Sequence, residues 1–405
     1  MRVVLLTGKG GVGKTTTAAA TALLAARRGA KTLVMSTDAA HSLADVLAVP
    51  PSPDPREVLP GLYVQQVDAR RRLAESWDAL RDYLAGVLTS AGLESVVAEE
   101  LTVLPGAEEL LALLEVRDQV RSGRFDAVVV DGAATAETLR LLALPQALGW
   151  YLDRLFPVPQ RVVRSLRPVM GRWLDPTGAA LPDDRVIDAA LRLQAELADV
   201  RETLEQASTS VRLVLTPESV VVAEARRALA TLTLLGYRVD GVVANRVLPE
   251  LGGDAAGPAA QWLAGWVTAQ RRVLADVTQS FAPLPVRQAP YTAAEPVGEP
   301  DLLALAEQLY GEDDPLAEGD AAPVHPQVER DGPGFVLALP VPQAARDDVD
   351  LTRVGDDLVI DVAGFRRVWP LPSALRRCTV TAAALADGWL RVRFTPDATV
   401  WPADG

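Results

Sequence analysis

The sequence predicts an α/β protein, in which a mainly parallel sheet with helical inserts is followed by a small C-terminal all-β sandwich. Three observations predict it. Short β-branched and apolar runs alternate with longer helix-forming stretches across residues 1–310, the pattern of a parallel sheet covered by helices on both faces. A glycine-rich loop joins the first apolar run to the first helix-forming stretch. From residue 334 the runs become short and alternating, with turn residues between them, as an all-β domain requires.

Arg2 to Leu6 is the first apolar run, and the Ala-rich stretch Thr15 to Arg28 after the loop is made of strong helix formers, so the order is strand, loop, helix. Further strands are predicted at Thr32 to Ser36, Leu62 to Val67, Ala127 to Val130, Val211 to Leu215 and Gly241 to Ala244. Two inserts break the rhythm, Arg70 to Gly123 and Leu139 to Gln206, both helical by composition and spacing. In the second, Leu193, Leu197, Val200 and Leu204 fall on one helical face. Residues 311–333 are rich in acidic residues, Gly and Pro, with too little apolar content to fold alone, and read as a linker. The runs FVLALPV, DDLVIDVAG, RRVWPLP and GWLRVRF then fill a sandwich over 334–396.

Composition narrows the function. The chain has 405 residues, 49% of them hydrophobic and 5% aromatic, which is globular and long enough for two or three domains. A formal charge of −13 gives no general attraction to phosphate backbones or anionic lipid, so nucleic acid and membrane surfaces are poor default partners. The single cysteine, Cys378, cannot form an intrachain disulfide, a Cys-x-x-Cys zinc site or a cluster ligand set. MRVVLLTG runs straight into the glycine loop with no basic and apolar leader pattern. The longest uncharged run, Ala255 to Gln270, contains Gly and Pro and falls short of the ~20 apolar residues that span a bilayer. A soluble cytoplasmic protein is expected.

Gly8-Lys9-Gly10-Gly11-Val12-Gly13-Lys14-Thr15 fits the G-x-x-x-x-G-K-[ST] phosphate loop, after a strand and opening a helix, as that motif requires. Gly8, Gly10, Gly11, Val12 and Gly13 offer backbone N–H groups to phosphate oxygens, and the helix N-terminus adds partial positive charge. Lys14 is expected to reach the β and γ phosphates and the Thr15 hydroxyl to ligate Mg²⁺, with Thr16 completing the ATP-binding set. Of 40 basic residues only Lys9, Lys14 and Lys31 are lysines, so two of the three compact ammonium groups sit in this one loop.

GKGGVGKTT resembles the deviant Walker A loop of the dimeric ATPases that include the arsenite pump ATPase, the Get3 targeting factors, the MinD and ParA positioning proteins and the nitrogenase iron protein. That resemblance implies a homodimer in which Lys9 crosses to the partner's nucleotide and neutralises charge on the transferred phosphoryl group. MSTDAAHSLADVL, with Asp38, His41, Ser42 and Asp45, resembles switch I of the arsenite-ATPase and Get3 branch, with Ala39 in place of proline. The resemblance makes Asp38 the catalytic residue that orients and activates the attacking water. Helix capping by Asp38 and Ser42 is the alternative.

VVVDGAATAETLRLLALP ends a buried run on Asp131, the position of a carboxylate near magnesium at a strand's C-terminal edge. It resembles the branch's switch II but departs at Gly132, Ala134, Ala136 and Glu137, which points to slow or differently coupled hydrolysis. PGAEELLALLEV also resembles a segment of the branch, and Asn245 in GVVANRVLP matches its adenine-reading asparagine, with a turn asparagine as the alternative. Pro290 and Tyr291 are weaker candidates to line the adenine. The family's arsenite and zinc cysteines have no counterparts, so arsenite is not an expected ligand.

Residues 334–396 resemble the α-crystallin domain of small heat-shock proteins, through GDDLVIDVAG, RRVWPLP and the A-x-x-x-n-G-x-L-like stretch from Ala383 to Leu390. The tail DATVWPADG lacks the segment that builds large assemblies. The edges of such a sandwich either bind an extended chain or serve only for packing.

The sequence therefore points to an ATP-hydrolysing Mg²⁺-dependent homodimer that presents a surface for a hydrophobic polypeptide client, with Phe156, Met170 and Trp173 as candidate groove residues or ordinary core. A nucleotide-gated holdase with little hydrolysis is the second reading, and a ParA- or MinD-like positioning ATPase the third.

Overall fold

The computed structural model describes residues 1–37, 42–67, 107–143, 184–250, 257–318, 326–397 and 399. Asp38, Ala39, His41, Phe156, Met170 and Trp173, most of both helical inserts and the end of the tail lie outside them.

The chain divides into two compact units. The smaller one comprises 68–114 and 143–202. Its described part is helical, the first half of α3 (Ala107–Arg121) and most of α4 (Asp184–Glu205), and buries Leu111, Leu113, Leu197 and Val200.

The larger unit is built on an eight-stranded sheet in the order β3-β4-β2-β5-β1-β6-β7-β8. Its strands are β1 (Arg2–Gly8), β2 (Thr32–Ser36), β3 (Arg56–Leu59), β4 (Leu62–Gln66), β5 (Ala127–Ala134), β6 (Thr209–Leu215), β7 (Val239–Val247) and β8 (Val286–Pro290). Only the β3–β4 pair is antiparallel. The central strands carry apolar runs because both faces are covered: all seven residues of β1 and all seven of β6 are buried, including the polar Arg2, Thr7, Thr209, Ser210 and Arg212.

Between these strands run α1 (Lys14–Arg27), α2 (Ser42–Leu47), α5 (Ser219–Leu235), α6 (Pro258–Ser280) and α7 (Gly298–Tyr310). Helices α1 and α7 pack together, while α5 packs on β6 and β7. β1 stands between β5 and β6, and its connection leads to β2 on one side whereas β6 leads to β7 on the other. The carboxyl end of β1 is thus a topological switch point, where open α/β sheets place their ligands.

Each strand expected in this region is present, with two additions. β3 and β8 are edge strands whose residues are half-buried or exposed apart from Ala289, and edge strands carry polar residues rather than apolar runs.

The C-terminal part is a sandwich of a four-stranded sheet, β14-β15-β10-β9, and a three-stranded sheet, β11-β12-β13, both antiparallel. Its strands are β9 (Gln327–Asp331), β10 (Gly334–Pro340), β11 (Val349–Val354), β12 (Asp357–Val362), β13 (Phe365–Pro370), β14 (Cys378–Ala386) and β15 (Trp389–Pro396). Ala230 and Leu234 of α5 belong to the same core as Leu337, Ile360 and Phe394, so the sandwich shares its core with a helix of the α/β sheet, and Gln343 also donates to the Ser280 carbonyl at the end of α6 at 2.7 Å.

The described parts of the expected linker, 311–318 and 326–333, are structured. β9 lies inside it and pairs with β10, Val328 opposite Leu337, although all five of its residues are exposed. Backbone pairing, not side-chain burial, makes that strand. Residues 311–318 are held by arginines instead: Arg2 Nε donates to the Leu316 carbonyl at 2.9 Å and Arg212 Nη1 to that of Pro315 at 3.0 Å. Arg287 pairs with Asp313 at 2.7 Å, and Arg28 and Arg238 donate to the carbonyls of Gly311 and Glu318. Acidic composition therefore marked a strap for cationic side chains.

At the centre of that strap is a buried cluster. Asp240 takes Arg2 at 2.8 Å, Arg212 at 2.9 Å and the Ser210 hydroxyl at 2.7 Å. Tyr310 at the end of α7 accepts from Arg212 at 2.9 Å and shares a 2.7 Å hydrogen bond with Thr21 of α1. Burial pushes the Arg2 pKa below its ordinary value, and Asp240 offsets only part of this.

Candidate functional site

The glycine loop leaves the end of β1 and turns at once into α1. Gly11 and Gly13 have φ of 79° and 92°, a left-handed region that costs other residues ~1–2 kcal/mol. A Cβ on Gly8 would lie 2.0 Å from the Val214 carbonyl oxygen, and one on Gly13 would lie 2.2 Å from Asn245 Nδ2. Gly10 has open space around it. Thr17 ties the first turn of α1 back, its N–H and its hydroxyl both donating to the Gly13 carbonyl at 3.0 and 2.8 Å.

Lys14 opens α1 and is only 8% exposed. Its Nζ reaches the Lys9 carbonyl at a long 3.4 Å, and among the described residues no carboxylate pairs with it. A buried ammonium so poorly satisfied is costly unless an anion joins it. The Lys9 side chain is half-buried, and it too has no ion pair among the described residues.

Three further elements converge on the loop. From β7, Asn245 donates Nδ2 to the Val12 carbonyl at 2.8 Å and accepts the Arg246 N–H on Oδ1 at 2.9 Å. One Nδ2 hydrogen and one Oδ1 lone pair remain for a ligand. From β5, Asp131 is 1% exposed, and its Oδ2 accepts the Ser36 hydroxyl at 3.3 Å. From α2, the Ser42 hydroxyl lies 3.3 Å from that of Thr15.

Beside the loop is a cavity of about 330 Å³ lined by Gly13, Thr16, Asn245, Arg246, Tyr291 and Glu295, among others, with Pro290 also on its wall. A cavity of this size is at the small end for a bound nucleoside. Arg246 holds φ 58° there, fixed by Asn245 on its N–H and by Gln270 Nε2 on its carbonyl at 3.0 Å.

After Asp131 the chain departs from the switch II pattern, and the structure gives one departure a packing reason. A Cβ on Gly132 would lie 2.6 Å from the Leu6 carbonyl oxygen. Residues 135–143 are helical, with Thr138 Oγ1 donating to the Ala133 carbonyl at 2.9 Å. Ala136 and Glu137 are exposed.

The structure thus brings Gly8 to Thr16, Asp131 and Asn245 to one end of the sheet, while Asp38 lies outside the described residues. Sequence reasoning missed the Ser42–Thr15 contact and the Asn245–Val12 strut, which spans 233 positions. No local pattern signals either. The geometry fits a triphosphate: a cradle that side chains would fill, a buried ammonium lacking an anion, and a nucleoside-sized recess. Thr15 and Asp131 supply the kind of oxygen that could hold a magnesium ion. Among the described residues no group of three His, Cys, Asp or Glu could cage a metal.

Comparison with known proteins agrees. Residues 1–311 match the family described as anion-transporting ATPase, and residues 332–394 match an HSP20-like domain found in ArsA. An uncharacterized protein of Streptomyces coelicolor is 41% identical over 99% of both chains. A putative arsenical pump-driving ATPase of Chlorobaculum tepidum is 33% identical over 97% of this chain and 96% of that one. An ATPase ASNA1 homolog of Cryptosporidium parvum is 28% identical over 61% of this chain and 66% of its own. A phosphate loop at the switch point of a mostly parallel sheet, followed by the antiparallel sandwich, leads to one conclusion: this chain belongs to the anion-transporting ATPase family, with an HSP20-like domain at its C-terminal end.

Proposed function

We propose that the chain hydrolyses ATP with Mg²⁺ as a cytoplasmic homodimer and couples closure on the nucleotide to binding of a hydrophobic polypeptide. The observation that carries the nucleotide half is Lys14, a buried ammonium among loop glycines with, among the described residues, only a 3.4 Å carbonyl contact. Phosphate oxygens would complete it.

In this reading the backbone N–H groups from Gly8 to Gly13 hold the phosphates, Lys14 sits between the β and γ phosphates, and Thr16 and Asn245 border the nucleoside. Thr15 and Asp131 would hold magnesium, which when bound neutralises charge on the phosphates. Asp38 orients a water for in-line attack on the γ phosphorus and takes its proton as the bond to ADP breaks. Lys9 from the second subunit stabilises the charge on the transferred group, the work an arginine finger does elsewhere.

Turnover by purified protein tests the enzymatic half: Lys9→Ala and Asp38→Asn should bind ATP and hydrolyse it far more slowly, and wild-type rates in both would remove these roles. The exposed Ala136 and Glu137 and the tightly packed Gly132 favour a second reading. Here the nucleotide gates a holdase and hydrolysis is slight; tight ATP binding without turnover, even with a client present, would establish it.

Other partners have less support. Cys378, buried in the sandwich, offers arsenite no set of thiolates. A formal charge of −13 disfavours DNA, and among the described residues no helix is long and apolar enough to cross a membrane.

A further inference from the structure

The first nine residues of α6, Pro258 to Trp266, include none that is buried. Its buried side begins only at Val267 and continues through Leu274 and Val277. A stretch of nine helical residues is ~13 Å long. A solvated helix of an acidic protein should carry charge along it, yet Pro258 to Gln270 contains no charged residue. It instead displays Trp262 and Trp266, 67% and 53% exposed, their rings edge to face at 6.1 Å. Exposed indoles on an uncharged surface are the composition of an interface.

The position of this face suggests its occupant. Gln270 fixes α6 to the end of β7, accepting from the Leu248 N–H at 2.7 Å and donating to the Arg246 carbonyl at 3.0 Å. Arg246 lines the cavity beside the glycine loop. Trp266 and Trp262 lie one and two turns before Gln270 on the same helical side. Because α6 runs from the end of β7 toward the start of β8, these turns stand beyond the strand ends, at the end of the sheet that carries Lys9 and Lys14.

Two copies of a chain with formal charge −13 repel each other, and an uncharged helical face with the small Ala259 and Gly265 on the side of the indoles is where they can meet closely. A fully buried Trp covers ~150–250 Å², so the two partly exposed indoles of each copy would bury on the order of 400–600 Å² in a symmetric contact. A stable interface needs ~1,200 Å² or more. The patch is too small to hold a dimer alone and must act with another contact.

We propose that Trp262 and Trp266 form a contact between two copies of this chain, made when both close over their nucleotides; the proposal rests on the homodimer reading above. Sedimentation velocity over a concentration series, with saturating Mg²⁺ and a non-cleavable ATP analogue, tests it on wild type and on Trp262→Ser/Trp266→Ser. The wild type should dimerise. The double variant should dimerise at least tenfold more weakly, with an unchanged melting temperature and unchanged analogue affinity below the dimerisation concentration. Acrylamide quenching of tryptophan should fall on dimerisation in wild type and not in the variant.

A variant that dimerises like wild type overturns the proposal and leaves the homodimer standing. A wild type that stays monomeric overturns both. A variant that dimerises normally but no longer suppresses aggregation of an unfolded polypeptide assigns the face to a client and likewise overturns it.

Discussion

Alanine at Gly13 should damage the nucleotide site through Asn245, and the damage should be partly undone by removing Asn245. The φ of 92° at Gly13 costs a non-glycine residue ~1–2 kcal/mol. The added Cβ would lie 2.2 Å from Asn245 Nδ2, so the amide must leave and its 2.8 Å bond to the Val12 carbonyl breaks. A buried group left unsatisfied costs a further ~1–3 kcal/mol. Gly13→Ala is therefore expected to cost about 2–5 kcal/mol in all. Asn245→Ala alone loses the same bond, at about 1–3 kcal/mol.

In the double variant the strut can be lost only once and the clash has no partner. The two costs should thus overlap, with a coupling of at least ~1 kcal/mol. Thermal unfolding without nucleotide, and binding of a fluorescent ATP analogue, measure both arms. Costs that add within about 0.5 kcal/mol would refute the reasoning that Asn245 props this loop.

Three other outcomes follow from the packing. Asp240→Ala leaves two buried guanidinium groups without their carboxylate, and its folded state should lose ~3–5 kcal/mol, read as a large drop in melting temperature. Leu234→Asp places a carboxylate in the core that α5 shares with the sandwich; limited proteolysis should then release the C-terminal part, whereas Leu234→Met should stay resistant. Burial pushes the Cys378 thiol pKa up, so at neutral pH it stays a protonated thiol, and a thiol reagent should label it only slowly until the protein is unfolded.

The central strands were readable because a sheet covered on both faces is built from apolar runs, as residues 3–6 of β1 and 213–215 of β6 are. The glycine loop was readable because its chemistry is compact, with glycines, lysine and threonine within eight residues. The missed parts have other physical causes. β9 is made by backbone pairing with no side chain buried, so no hydrophobic period announces it. The strap over 311–318 looked disordered because its acidic and carbonyl groups are matched by arginines from distant parts of the chain. Asn245 was visible as a candidate for the base, yet its bond to Val12 is a product of the tertiary fold.

The most direct test of the account concerns which subunit supplies each lysine. Lys9→Ala and Lys14→Ala chains, each purified and inactive alone, are mixed in equal amounts and allowed to exchange before ATP turnover is measured. If Lys9 acts on the partner's nucleotide, half of the dimers are mixed and each has one complete site, so roughly a quarter of wild-type activity should return. A mixture no more active than its components would contradict the shared site.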